Sequence, residues 1–306
     1  MKICVVGCGA VGGIFAAHLA RLEDVEVHAC DVWREHVEAI NRNGLRLSGA
    51  ADFTARVHAT TKPAEIPLCR FGIMATKSIH TRAAIQQAAR IFDTSSAVCS
   101  VQNGVGNEEI LAEHVRYVIR GTTFPAGHVI EPGHVSYDIS GDTWIGPFEP
   151  TGTPMEAVTE LAALLTRGGM NTIPLEDARG AQWTKLIFNA ATNPTGALTG
   201  LHHAAAVTFP PTADLVEALI REGEAVARAH GIALHGDPRE LVTKGAKAPG
   251  KHKASMLQDV LARRQTEVDF MNGAIVAWGE KAGVPTPLNK ALWALIKGLE
   301  HSWTNP

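Results

Sequence analysis

The sequence predicts an α/β domain followed by an all-helical one, and three observations predict it. Ile3 to Val6 is a short, wholly apolar run of the kind that makes a strand buried on both faces, and it stops at glycine. Gly7, Gly9 and Gly12 then fall in the spacing G-x-G-x-x-G, and strand-like and helical segments alternate from there. Beyond about Asp177 no strand pattern remains and the apolar spacing is helical. The reading is an α/β N-terminal Rossmann-type dinucleotide-binding domain over residues 1–176 and an all-α C-terminal domain over residues 177–306, which would carry the substrate and the catalytic groups.

Each glycine of the triplet has a mechanical reason. Gly7 allows the tight turn out of the strand, Gly9 lets backbone approach a pyrophosphate, and Gly12 lets the following helix pack close. With Cys8, Ala10 and Val11 between them, these residues form the expected phosphate cradle at a helix N-terminus, where free N–H groups favour an anion. Ile14, Phe15 and Leu19 continue a helical spacing to Leu22, and Val25 to Cys30 alternates like a second strand. Asp31 ends that strand about 20 residues past the fingerprint, where a carboxylate accepts bonds from adenosine ribose hydroxyls. That favours NADH, because the 2′-phosphate of NADPH would meet a like charge, although Arg34 stands close enough to pair with such a phosphate. Lys2 and the apolar run to Ala20 resemble a secretory signal superficially, but Gly7, Gly9, Gly12, Gly13 and His18 suit a nucleotide turn better.

With 45% hydrophobic residues and a formal charge of -3, the 306-residue chain reads as an ordinary soluble protein. It has no basic excess pointing to nucleic acid and no apolar stretch of membrane-spanning length. Its 5 cysteines are odd in number and lack C-x-x-C spacing, so they are expected to be buried thiols of a reducing cytoplasm. His202 and His203 are adjacent, but no metal-ligand spacing occurs, and no metal site is expected.

In chain order, Arg34 to Asn41 reads as a helix, Asn43-Gly44 as a turn and Leu45 to Leu47 as extended. Phe71 to Ala75 is a strand leading to Lys77, Thr81 to Phe92 a helix, and Ala97 to Val101 a strand opening onto Gln102, Asn103 and Gly104. Strand ends line the ligand crevice of a doubly wound sheet, so Lys77 and Asn103 are expected to meet the cofactor; alternatively Asn103-Gly104 is simply a turn. Short strands at Tyr117–Thr123, Gly127–Ile130, His134–Tyr137 and Thr143–Ile145 suggest an antiparallel extension of the sheet, followed by a helix from Met155 to Leu165. The second half reads as helices over Arg179–Thr192, Pro211–His230, Pro238–Lys244, Ser255–Ala282 and Pro287–Ser302, the last capped by Thr286.

Lys185, Asn189 and Asn193 are spaced i, i+4, i+8 and so project from nearly one face of a helix otherwise flanked by Trp183, Leu186, Ile187 and Phe188. They are a polar constellation aimed at a ligand, or a solvent-facing stripe. Pro194 restrains the end of that helix. Ser255 to Gln258 fits a capping box, with Ser255 as cap and, alternatively, as a carboxylate ligand. Glu267 sits beside the apolar stripe of the same segment. Lys244, Lys247, Lys251 and Lys253 make a basic loop that is solvated or covers an anion.

Together, Gly7 to Gly12, Thr76-Lys77, Gln102-Asn103-Gly104, Lys185 with Asn189 and Asn193-Pro194, Ser255 to Asp259, Thr266-Glu267 and Gly283 to Pro287 resemble the ketopantoate reductase family over nearly the whole chain. The resemblance implies NAD(P)H-dependent reduction of a small 2-keto acid, 2-dehydropantoate, to (R)-pantoate in pantothenate and coenzyme A biosynthesis. It implies Lys185 as general acid, with Glu267 as a catalytic partner that helps hold cofactor or substrate. Asn103 would lie between nicotinamide and substrate, Asn189, Asn193 and Ser255 would bind substrate, and Gly127 would join the cofactor contacts. The chemistry suits these residue types: hydride arriving at a 2-keto carbon leaves an alkoxide that needs a proton and a positive neighbour.

Two departures stand out. His203 occupies a position where members commonly carry a further substrate-binding asparagine, and Asp31 one where a basic or neutral residue usually receives NADPH. The family habit therefore favours NADPH and Asp31 favours NADH. An NAD-dependent dehydrogenase of another D-2-hydroxy acid is the alternative, and a nucleotide sensor without turnover a more remote one. A homodimer through the helical half is a further expectation.

Overall fold

The computed structural model describes residues 1–247 and 253–304. It divides into two compact units, one of residues 1–102 with 107–178, the other of residues 103–106 with 179–306. The short excursion at 103–106 departs from an expected boundary near residue 176, and its cause is local. The Val105 N–H donates to Phe270 O at 3.0 Å, which ties the loop to the helical unit.

The first unit runs β1 (Lys2–Val6), α1 (Ala10–Leu19), β2 (Glu26–Cys30), α2 (Arg34–Asn43), β3 (Leu45–Gly49), β4 (Phe53–Ala55), β5 (His58–Thr60), β6 (Phe71–Met74), α3 (Thr81–Ala88), β7 (Ala97–Ser100), α4 (Asn107–Ala112), β8 (Tyr117–Thr123), β9 (Ala126–Glu131), β10 (His134–Ile139), β11 (Thr143–Pro147), α5 (Met155–Arg167) and β12 (Thr172–Pro174). Its main sheet has the order β12-β11-β8-β7-β6-β1-β2-β5. From β5 to β8 every pairing is parallel. That is the dinucleotide-binding order, with the reversal of direction between β1 and β6, beside the glycine turn.

The expected antiparallel extension is half right. β11 does run antiparallel to β8. β9 and β10, however, leave the main sheet and form a second one with β3 and β4, in the order β4-β3-β10-β9. The reason lies in α1, which is buried at every residue from Gly12 to Leu19. A helix apolar all round needs cover on all sides, and the second sheet supplies it through Leu45, Leu47, Val135 and Tyr137. β4 and β5 were not foreseen, being three residues long each and too short to show a period.

The second unit is helical: α6 (Arg179–Thr199), α7 (His203–Thr208), α8 (Pro210–Ala229), α9 (Pro238–Lys247), α10 (Ser255–Leu261), α11 (Asn272–Ala282) and α12 (Pro287–Ser302). α6 runs straight through Pro194, where the sequence predicted an end at Thr192. Proline removes the N–H that Ala190 O would accept, and the buried Asn272 side chain replaces it, its Nδ2 donating to that oxygen at 2.9 Å. The single helix expected over Ser255–Ala282 is instead α10, a 3-10 turn at Val268–Phe270 and α11. Arg263 takes a positive φ of 50° just after α10, which ends the helix there.

Two capping expectations are corrected. The Gln258 N–H donates to Ala254 O at 3.1 Å, so the cap of α10 is Ala254 and Ser255 is the first helical residue. Gln258 Nε2 bonds Lys253 O instead of closing a capping box. At α12, Thr286 stands at the cap but bonds no N–H with its side chain. Glu222 does so from α8, its carboxylate accepting from the Leu288 and Asn289 N–H groups at 2.9 Å each. Of the basic loop, Lys244 and Lys253 are exposed, while Lys251 and the Lys247 side chain lie outside the described residues. No helix among the described residues is long and apolar enough to cross a membrane.

Candidate active site

In the first unit the glycine turn is built from close approaches. Gly7 has φ +88°, and a Cβ there would lie 2.7 Å from the Thr76 backbone nitrogen. On Gly12 a Cβ would lie 1.8 Å from Gly7 O, so only glycine lets α1 start this near the strand. Gly9 differs, because a Cβ there would meet nothing within 4 Å. Gly9 caps α1 with no side-chain bond. The first N–H groups of that helix, from Ala10 onward, thus have no partner within the helix, and the turn at Gly9 borders open space, a cradle that fits a pyrophosphate.

Asp31 follows β2 and closes this cradle. Its Oδ2 accepts from the Cys8 N–H at 2.7 Å and its Oδ1 from the Trp33 N–H at 2.9 Å. Each carboxylate oxygen keeps a second lone pair, enough for the two hydroxyls of a ribose. Arg34 is exposed and is not paired with Asp31. Lys77 lies half-buried just past β6, the strand across the switch point from β1. Gln102, to which the sequence reading gave no role, anchors that segment. Its Nε2 donates to Thr76 O at 3.0 Å and to Thr81 Oγ1 at 2.7 Å. Gly127 lies in β9, where a Cβ would come within 1.9 Å of Ser136 O, so sheet packing alone already requires glycine.

In the second unit Lys185, on α6, donates from Nζ to Asn103 Oδ1 at 2.9 Å. Asn103 is held there because its loop is pinned. At Gly104, φ +87°, a Cβ would be 2.3 Å from Phe270 O, and Gln182 Nε2 donates to Gly104 O at 3.3 Å. Burial pushes the Lys185 ammonium down from the ordinary lysine range to about 8, against the upward pull of the Glu267 carboxylate. Glu267 is itself only 4% exposed. Asn189 and Asn193 are buried on the same face of α6, which excludes the solvent-facing stripe. Asn193 Nδ2 has a weak contact to Met271 Sδ at 3.8 Å, and Ser255 is half-buried at the start of α10.

The structure therefore brings together Asn103, Lys185 and Glu267 as one electrostatic group, and the glycine turn with Asp31 as another. The thiols are not candidates for nucleophilic work: all five are buried and free, and burial pushes the pKa of each up, which disfavours the thiolate. Among the described residues no cluster of histidine, cysteine and carboxylate groups has the makings of a metal site.

Two family models match the chain, one described as Ketopantoate reductase PanE/ApbA over residues 3–150 and one as Ketopantoate reductase PanE/ApbA C terminal over residues 177–300. A 2-dehydropantoate 2-reductase of Pyrococcus horikoshii is 34% identical over 98% of both chains. Among solved structures, a PanE/ApbA family ketopantoate reductase from Ralstonia eutropha superposes with a TM-score of 0.89 at 30% identity, covering 100% of each chain. A D-mandelate dehydrogenase in ternary complex with NADH and anilino(oxo)acetate gives a TM-score of 0.90 at 26% identity, covering 99% of this chain and 100% of the other.

Proposed function

The chain belongs to the ketopantoate reductase family, and we propose that it reduces 2-dehydropantoate to (R)-pantoate, the acid used in pantothenate biosynthesis, with a reduced nicotinamide dinucleotide. The observation that carries this reading is Lys185, an ammonium drawn down to about 8 and hydrogen-bonded to Asn103. An acid is most effective when its pKa lies near the working pH.

The dihydronicotinamide, when bound, supplies the hydride to the 2-keto carbon. As that carbon–oxygen π bond breaks, its electron pair moves to oxygen, and Lys185 gives this oxygen the proton from Nζ and becomes the neutral amine. The positive charge on Nζ also stabilises the oxygen as it turns anionic. Glu267 favours the protonated lysine before the transfer, and Asn103 orients Nζ. Asn189, Asn193 and Ser255 supply donors for the carboxylate and hydroxyl of the acid. Gly7, Cys8, Gly9, Ala10, Val11 and Gly12 would hold the pyrophosphate, Lys77 at the end of β6 would add a charge to the cofactor contacts, and Asp31 would take the ribose hydroxyls. On this account NADH serves at least as well as NADPH.

A second reading, an NADH-dependent dehydrogenase of another D-2-hydroxy acid, is favoured by His203. This residue is buried with its ring 5.6 Å from that of Phe188. Steady-state oxidation of NADH and NADPH with a panel of 2-keto acids tests both. Highest kcat/KM with 2-dehydropantoate supports the first reading, highest kcat/KM with an aryl keto acid such as phenylglyoxylate the second, and no turnover with any would overturn both.

A further inference from the structure

His36 lies in α2, is 0% exposed, and is used by none of the chemistry above. Its Nδ1 lies 3.0 Å from the Gly133 backbone nitrogen and its Nε2 lies 2.9 Å from Cys8 O. A backbone N–H can only donate, so Nδ1 accepts; the neutral ring then carries its proton on Nε2 and donates it to Cys8 O. The Cys8 N–H is meanwhile held by Asp31. Both peptide groups flanking Cys8 are thus fixed by side chains.

A trans peptide points its N–H opposite to its C=O, and no peptide of the described chain is cis. Holding Cys8 O on His36 therefore turns the Gly9 N–H away from α2. Gly9 is the one glycine of the triplet whose Cβ position borders open space. The Trp33 ring stacks on His36 with centroids 5.2 Å apart and an angle of 12° between planes, and the Trp33 N–H holds the other oxygen of Asp31. The phosphate turn and the ribose carboxylate share one hydrogen-bonded frame, closed on its buried side by the imidazole.

We propose that His36 is a positioning residue for the dinucleotide: by donating to Cys8 O it fixes the Cys8–Gly9 peptide so that the Gly9 N–H faces the pyrophosphate. The inference rests on the dinucleotide reading of the turn. It assigns affinity to the donor on Nε2 and only stability to the acceptor on Nδ1. Two substitutions separate these atoms. Glutamine places an amide donor near the position of Nε2, and asparagine places an acceptor near that of Nδ1.

The test is calorimetric titration of the full chain with NADH, alongside kcat and the Michaelis constant for the keto acid. His36→Asn should weaken NADH binding about tenfold or more while kcat at saturating NADH and the keto-acid constant stay within about twofold; His36→Gln should bind within about threefold of the native chain. Native affinity in His36→Asn, or equal loss in both variants, would overturn the proposal. So that folding of a variant does not decide the matter, NADH added to the native chain should shift the nitrogen resonances of Gly9 and of His36 Nε2, and unshifted resonances in an NADH-bound chain would overturn it too. A native chain that binds neither NADH nor NADPH would instead remove the dinucleotide reading itself.

Discussion

Lys185 Nζ stands 2.9 Å from Asn103 Oδ1, although the two residues are 82 positions apart. The bond exists because the loop at 103–106 is anchored to Phe270 through the Val105 N–H, and Gly104 is the residue that lets it come so close. The fold itself thus holds the proposed proton donor beside the amide that would orient it, which is the condition for efficient acid catalysis.

The pH dependence follows from the same pair. With Lys185 as the proposed acid, reduction requires it protonated, so kcat/KM for the keto acid should be level below about pH 8 and fall as pH rises through that value. Glu267 pulls the lysine upward, so Glu267→Gln should move this alkaline limb to lower pH. A pH–rate profile of both proteins decides it; an unmoved or upward-moved limb would remove Glu267 from the proton chemistry.

Ser255→Ala separates binding from capping. Because Ala254 is the cap and the Ser255 hydroxyl bonds no helix N–H, the substitution should leave the melting temperature within about 1 °C instead of costing the ~1 kcal/mol of a lost cap. The Michaelis constant for the keto acid should rise several-fold, as for one lost hydrogen bond to a carboxylate. A lower melting temperature with an unchanged constant would reverse the assignment.

Asp31 should make NADH at least as good a cofactor as NADPH. Its oxygens are bound to the Cys8 and Trp33 N–H groups, so turning the carboxylate away to admit a 2′-phosphate would break both bonds. Asp31→Asn should lower kcat/KM for NADH about tenfold and raise the relative efficiency of NADPH. Strong native preference for NADPH, unaltered by the substitution, would show that Asp31 does not read the ribose.

Much of this was legible in the sequence, and what was not has physical causes. The glycine triplet, Asp31 and the Lys185–Asn189–Asn193 face were readable because local spacing alone determines them. The course of α6 past Pro194 was not, because it depends on Asn272, a side chain distant in sequence that supplies the missing donor. The serine-to-glutamine spacing at Ser255 suggested a cap one residue out of register, since Ala254 accepts the first helical bond without any side chain to announce it. β9 and β10 were located from the sequence, each about two residues short, but the pairing of β10 with β3 was set by the need to cover α1 from its second side. His36 gave no signal at all: a single histidine in a helix shows its two partners only once the glycine turn and the hairpin at Gly133 are folded around it.

The central claim is that Lys185 protonates the carbonyl oxygen of a 2-keto acid, and single-turnover reduction by Lys185→Ala measures it most directly. With NADH prebound and 2-dehydropantoate mixed in excess, the rate of NADH oxidation should fall about 10²-fold or more, while NADH affinity, which depends on the glycine turn and Asp31, stays native. A single-turnover rate within a few-fold of the native chain would contradict the account.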